Sequence, residues 1–427
     1  MKRVLIISPD FPPVNAADMH RMRQSLPYFK DFGWDAEVIA VETKYVNAYS
    51  IDNLLTETIP AYVKVHHVKA WDISKTRKFG LGALGIRSFF FICKKGNELL
   101  RSGKFDLIYF STTAFHVMAL GPYWKRKFDV PFVLDIQDPW RNDFYLSKPK
   151  DERPPKFWLA YNIDKYLERK TIPHAAGIIS VSEGYNKTFL LRYPSVTPDK
   201  LAVIPFGGSS IDFEVMQKNI ESSAKINFNN NKINILYAGR GGHDMRFASE
   251  VLFAAINLGL QVENDIFSKI KLWFVGTSYA VEGSGKKTFE PIAEKLNLQD
   301  RVTEVTDRIP YFETLFLLKN AALLFMPGSS DKNYTASKIY PYILSKKPLL
   351  AVFHRNSSVV DIINDTKSGE VIKFNDNDDP KQYAEDCMGM IKKLIIKKES
   401  TFDLQAFEPY TAKSMTRKQV YCFEKWT

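Results

Sequence analysis

A doubly wound α/β fold in two domains is the architecture that the sequence predicts, on three observations. Its 427 residues exceed what one hydrophobic core usually holds. Continuous apolar runs rich in Val, Ile, Leu and Phe recur along the chain, as parallel strands buried on both faces require. Segments with helical spacing separate these runs, and that alternation is the signature of crossover units.

In the first half the strand-like runs are residues 3–8, 36–41, 107–110, 132–135, 177–181 and 202–205, and His66 and His67 lie in a further extended stretch. Residues 19–32 have the spacing and length of a helix. Regularity lapses at Gly207-Gly208-Ser209-Ser210 and again at the Asn-rich stretch 229–232. In the second half the runs are 233–238, 272–275, 302–305, 323–326, 349–353 and 371–373, with a helical pattern at 247–258. The expected organisation is a first domain over 1–206, a linker over 207–231 and a second domain over 232–408. A last helix over 409–427 is expected to pack back on the first domain.

Hydrophobic content of 45% and aromatic content of 14% exclude a disordered chain. The formal charge of +11 asks for a partner. Nucleic acid is not expected, because no stripe of Arg and Lys interleaved with aromatics is present. An anionic membrane surface is the better match. Lys75, Arg77, Lys78, Arg87, Lys94 and Lys95 surround Phe89-Phe90-Phe91. The alternative is that these aromatics fill a core beneath a solvated basic face. No apolar run approaches the ~20 residues of a membrane span. Met1-Lys2-Arg3 runs straight into Val4-Leu5-Ile6-Ile7, with no room for a secretory signal. Cys93, Cys387 and Cys422 are far apart and odd in number, so neither a metal site nor a disulfide framework is expected. A cytoplasmic setting, peripheral on the inner face of the cell membrane, follows.

The densest chemical signal lies in 334–353. An apolar run, a polar loop, a short helix and a second apolar run make a βαβ crossover whose loop sits at the carboxyl end of a strand, where such sheets bind ligands. Ser337 and Lys338 bring a hydroxyl, a cation and helix-start N–H groups, a set that suits a phosphate. Pro341 fits the first helical turn, where a missing N–H is tolerated. Gly239, Gly241 and Gly242 follow another strand and allow close backbone approach to a ligand, with Arg240 and Arg246 beside them. An ordinary tight turn with surface ion pairs is the alternative.

Taken in order, these pieces resemble glycosyltransferase family 4. The resemblance runs through Ser8-Pro9-Asp10-Phe11-Pro12-Pro13-Val14-Asn15, Asp135-Ile136-Gln137-Asp138-Pro139-Trp140, Val203-Ile204-Pro205-Phe206-Gly207-Gly208 and Tyr237-Ala238-Gly239-Arg240. It implies the GT-B architecture, two facing Rossmann-like domains with a C-terminal helix crossing back. It also implies a retaining transferase with no metal and no cofactor, the nucleotide-sugar being a co-substrate. The acceptor would be a glycan, a lipid-linked glycan or a small molecule, in a setting such as polysaccharide biosynthesis. Donor contacts are implied for Asn15, Gly239, Arg240, Gly241, Arg246, Asn333, Ser337 and Lys338. Two departures stand out. Where the family often has a pair of glutamates, this chain has Asn333 and Pro341, leaving Tyr340 or Lys338 to serve the ribose. Gln137 replaces a frequent His and cannot shuttle protons, so Asp138 becomes the candidate for contact with the reacting sugar. A sugar-nucleotide 2-epimerase and a non-catalytic GT-B binding protein are the competing readings.

Overall fold

The computed structural model describes residues 1–46, 51–147, 149–154, 156–330, 336–397 and 400–427. The chain forms two compact units, residues 1–207 with 412–427, and residues 208–411.

The first unit holds β1 (Lys2–Ile7), β2 (Trp34–Val41), β3 (Lys64–Val68), β4 (Leu107–Ser111), β5 (Phe132–Ile136), β6 (Gly177–Ser180) and β7 (Leu201–Val203). They pair in the order β3-β2-β1-β4-β5-β6-β7, every ladder parallel. Connections include α1 (Met19–Ser25), α2 (Leu84–Ser102), α3 (Leu120–Phe128), α4 (Phe157–Thr171) and α5 (Glu183–Arg192). Leu5, Ile7, Ile39, Phe110, Phe132 and Leu134 build the centre of its core.

The helix expected over 19–32 ends at Ser25. Pro27 supplies no N–H to continue it, and a short 3₁₀ turn, Lys30–Phe32, closes on Gly33 at φ 82°. The C-terminal helix, Ala412–Trp426, is locked into this unit by aromatic contacts. Phe423 packs on Tyr109 at 4.9 Å between ring centroids, on Trp34 at 5.5 Å and on Phe29 at 6.1 Å. Gly177 makes room for Trp426, since a Cβ there would fall 2.1 Å from its ring. The Phe89–Phe91 run is split: Phe90 is exposed, while Phe89 and Phe91 pack against the core.

The second unit holds β8 (Ile233–Ala238), β9 (Ile270–Val275), β10 (Val302–Val305), β11 (Leu323–Pro327), β12 (Leu349–His354) and β13 (Glu370–Phe374). Its order is β10-β9-β8-β11-β12-β13, again all parallel. Its helices include α6 (Ser210–Asn219), α7 (Arg246–Val262), α8 (Tyr311–Asn320), α9 (Ile339–Leu344), α10 (Ser358–Thr366) and α11 (Ala384–Lys397). Helix α6, inside the segment 207–231, is tied to α8 by the Tyr311 hydroxyl, which donates to Asp212 at 2.7 Å. Ser223 likewise donates to Glu313. In both sheets the chain reverses direction of winding between the first and fourth strands, β1/β4 and β8/β11, and there the strand-end loops part to leave a crevice.

One buried ion pair braces the first unit. Arg21 Nε lies 2.8 Å from Asp135 Oδ2 with both side chains out of solvent. The same guanidinium donates to the Ile204 carbonyl at 2.7 Å, and Ser111 and Gln137 donate to the carboxylate at 2.7 and 2.8 Å. Removing one partner strands the other charge in the core. Arg21→Met should therefore lower unfolding stability of this unit by about 3–5 kcal/mol in denaturant titration. A change below about 1 kcal/mol would show that the pair braces nothing.

Candidate functional site

Three cations converge on the β8/β11 crevice of the second unit. Arg240 follows β8, Lys338 opens α9 in the crossover from β11, and Arg308 follows β10. Lys338 Nζ rests on the β8 turn: it lies 5.6 Å from the Tyr237 ring centroid, and a Cβ on Gly239 would stand 2.2 Å from it. Only glycine allows that approach. Burial, followed by the charges of Arg308 and Arg240, pushes Lys338 down from its ordinary value to about 7. Among the described residues, no acid is among the groups acting on it.

Arg308 was not singled out by sequence. Its Nε and Nη2 are buried with no hydrogen-bond partner among the described residues, and its guanidinium lies 4.0 Å from the Tyr279 ring centroid. Gly276, at φ 70°, turns the chain after β9 beside Arg308 Cδ. The signal that could have found Arg308 is its position just past the run 302–305, at a strand's carboxyl end. Arg240 is held differently, by a two-point ion pair to Asp244 at 3.0 and 2.7 Å. Burial works against the Asp244 charge, but hydrogen bonds from Arg240 and Ser329 prevail and hold it below the usual carboxylate range. The cluster thus keeps an excess of positive charge, with unsatisfied donors in a partly desolvated place. That arrangement can hold a polyanion such as a diphosphate.

The other sequence candidates in this unit are placed unevenly. Gly239 and Gly241 both serve close packing, Gly241 against Thr288 and Phe289. Their N–H groups donate to Val275 and Thr277 carbonyls at 2.8 and 2.7 Å, so the β8 turn does not present them to a ligand. Arg246 is exposed and pairs with Glu250 one helical turn on, at 2.7 Å, as a surface ion pair does. Ser337 is exposed beside Lys338. Tyr340 is only 2% exposed and stacks on Tyr410 at 6.1 Å, so its ring serves the core and is not presented at the crevice. Asn333 lies outside the described residues.

In the first unit the strand-end loops carry acids instead. Asn15 is half-buried in the loop after β1. Asp18 ends that loop and accepts from the Thr113 N–H at 2.8 Å and from the hydroxyls of Thr112 and Thr113, both at 3.1 Å. Burial and the Asp18 charge push Asp10 up to about 8. Asp138, in an open loop after β5, is raised by the surrounding protein and by Asp18. Ser182 is a helix cap, accepting from the Gly184 N–H at 3.2 Å. Among the described residues, no group of three or more His, Cys, Asp or Glu side chains is placed to hold a metal ion.

Residues 26–207 match the family model described as Glycosyltransferase Family 4. Solved structures share the fold along the whole chain. The N-terminal domain of trehalose-6-phosphate phosphatase from Candida albicans is 13% identical, with a TM-score of 0.64 over 100% of this chain and 97% of that one. HepE of Anabaena, solved with UDP and glucose, is 14% identical, with a TM-score of 0.59 over 99% and 100%. A UDP-forming trehalose-phosphate synthase of Burkholderia xenovorans, solved with glucose-6-phosphate, is 9% identical, with a TM-score of 0.59 over 99% and 100%. No curated protein sequence matches. The architecture is therefore the GT-B fold, and residues 26–207 carry a glycosyltransferase family 4 match within it.

Lys338 sits where its charge opposes folding. Its folded-state pKa of about 7 lies below the 10.5 of a free lysine, so the native state binds fewer protons than the unfolded chain between those values. Stability should rise with pH across that window. Lys338→Met should raise Tm by a few degrees near neutral pH, with the gain shrinking toward pH 10. A Tm that falls equally at both ends would mean that the ammonium is satisfied in the fold.

Proposed function

We propose that the protein transfers a sugar from a nucleotide-sugar donor to a glycan, lipid-linked or small-molecule acceptor, with retention and without metal or other cofactor. The observation that carries this reading is the cluster of Arg240, Arg308 and Lys338 at the β8/β11 crevice, where three cations meet and, among the described residues, buried Arg308 donors have no hydrogen-bond partner. In the reaction the bond between the sugar's anomeric carbon and the diphosphate oxygen breaks, and its electron pair leaves on the diphosphate. The acceptor hydroxyl oxygen bonds to the same face of that carbon and gives its proton to the departing diphosphate. Fixed cations stabilise this developing charge more than the ground state, which lowers the barrier. Ser337 and the half-buried Lys338 would line the diphosphate, and Asn15 and Asn333 would add polar contacts to the donor. Asp138 would contact the reacting sugar. The protein would work in the cytoplasm, peripheral on an anionic membrane face; among the described residues no helix is long and apolar enough to cross a membrane.

A second reading is favoured by one feature. Pro341 is half-buried in the first turn of α9 and offers no side chain to a ribose, and the neighbouring Tyr340 is inside the core. A non-catalytic GT-B protein that binds glycan or a partner enzyme would need neither. The two readings separate on donor binding: no sugar nucleotide bound at millimolar concentration abandons the catalytic one.

Calorimetry with UDP tests the cluster directly. A bound diphosphate raises the pKa of Lys338, so binding at about pH 8 should take up close to one proton, and affinity should fall as pH rises above about 7. Lys338→Met should abolish the proton uptake. Arg240→Ala should weaken UDP by about 1.5–3 kcal/mol; unchanged affinity would return Arg240 to a local pair with Asp244. Asp138→Asn separates chemistry from binding. It should lower kcat by about 10²-fold or more in a donor-hydrolysis or transfer assay while leaving UDP affinity intact. Equal losses in both would place Asp138 outside the reaction.

A further inference from the structure

On the first unit, apolar side chains stand in solvent within a border of cations. Trp158 and Leu159, in the first turn of α4, are 69% and 53% exposed, and Leu81 is 38% exposed. The turn of α4 lies against residues 77–83: Lys156 Nζ donates to the Lys78 carbonyl at 3.3 Å, and Leu81, Ile86 and Leu159 line one open groove of about 380 Å³ with Arg77 and Lys156. Phe90, one helical turn beyond Ile86 on α2, is 59% exposed. Single exposed leucines need no account, but a tryptophan grouped with leucines and a phenylalanine does.

The charges around this patch say what covers it. Arg77, Lys78 and Lys156 are all exposed at its edge. Two acids nearby are engaged elsewhere: Asp164 by His116 and by Trp140 Nε1, both at 3.3 Å, and Asp72 by the Ser74 N–H, which it caps at 2.8 Å. Apolar side chains led by tryptophan and bordered by cations that have no ion-pair partner among the described residues match the headgroup layer of an anionic bilayer, where the ring and the aliphatic groups enter and the cations meet phosphates.

We propose that the face formed by residues 77–83 and the first turn of α4 docks the protein on an anionic membrane, with Trp158 and Leu159 inserted. This gives a location to the peripheral-membrane part of the reading above and rests on that part alone, not on sugar transfer. The run at 89–91 contributes only Phe90, so the surface is made by the 77–83 part of the basic, aromatic segment 75–95 together with α4, and not by its aromatic run.

Vesicle co-sedimentation of the full chain tests it, with phosphatidylcholine alone and with equal parts phosphatidylcholine and phosphatidylglycerol. Binding should appear on the anionic vesicles and weaken with salt. Trp158→Ser with Leu159→Ser, and separately Arg77→Glu with Lys78→Glu, should each lower it by about tenfold or more, with circular dichroism and Tm unchanged. Vesicle binding undiminished in both double variants overturns this surface but leaves the peripheral location standing. No vesicle binding by the unaltered protein overturns both. A dimer in sedimentation velocity that Trp158→Ser with Leu159→Ser dissolves would assign the patch to a second copy of the chain, and overturns it too.

Discussion

Every ladder in both sheets is parallel, and the placement of chemistry follows from that. Parallel strands cannot be joined by hairpins, so each connection returns over a face of the sheet and every strand ends at the same edge. The sheet order then reverses once, between β1 and β4 or between β8 and β11, and opens the loops there. Whatever residues follow the strands are brought together whether or not they are near in sequence. In the second unit these are Arg240, Arg308 and Lys338, contributed by loops up to a hundred residues apart. In the first they are Asp10, Asp18 and Asp138. The same topology thus gathers a basic group in one unit and an acidic one in the other, because the loop sequences differ and the sheets do not.

Gathering like charges opposes folding, and the structure shows where that cost is carried. Lys338 could have been satisfied by a carboxylate, but it lies on the Tyr237 ring and a glycine. Arg308 keeps buried N–H groups that have no partner among the described residues. Contrast Arg21, which is fully buried: its charge is met by Asp135 and its remaining donors reach the Ile204 and Pro205 carbonyls. A buried cation with its own carboxylate is architecture; one held open among other cations is stabilised only when an anion arrives. This contrast separates scaffold from site more sharply than burial does.

Much of the scaffold was legible in the sequence because strands buried on both faces leave long apolar runs, and the runs at 233–238 and 302–305 coincide with β8 and β10. Helix limits were less legible: the period of residues 19–32 is helical, but Pro27 interrupts it, and the remainder turns on Gly33. At the site, sequence indicated which loops carry charge but not where each side chain points. Arg246 looked like a partner of Arg240, yet as the first residue of α7 it meets Glu250 on its own helix. Arg308 has no motif around it and is drawn in only by the neighbouring strand ends. Tyr340 and Lys338 are two residues apart, and the turn into α9 sends one into the core and leaves the other beside Gly239. Side-chain direction at a loop-to-helix junction is set by tertiary packing, which one-dimensional spacing does not encode.

The two strand-end clusters respond to pH in opposite senses, and both do so near neutrality. Lys338, held near 7, gains its charge as pH falls, and Asp10, held near 8, loses its charge as pH falls. Below about pH 7 the basic group is therefore at full charge while Asp10 is largely neutral and able to donate a hydrogen bond. Above about pH 8 the lysine has lost its proton and the acids repel one another. A bound polyanion would move the first titration upward, since it supplies the partner that the fold withholds. The same withheld partner lets the second unit bind an anion and keeps it from its own stability optimum: Lys338 cannot be both neutralised by the protein and available to a ligand.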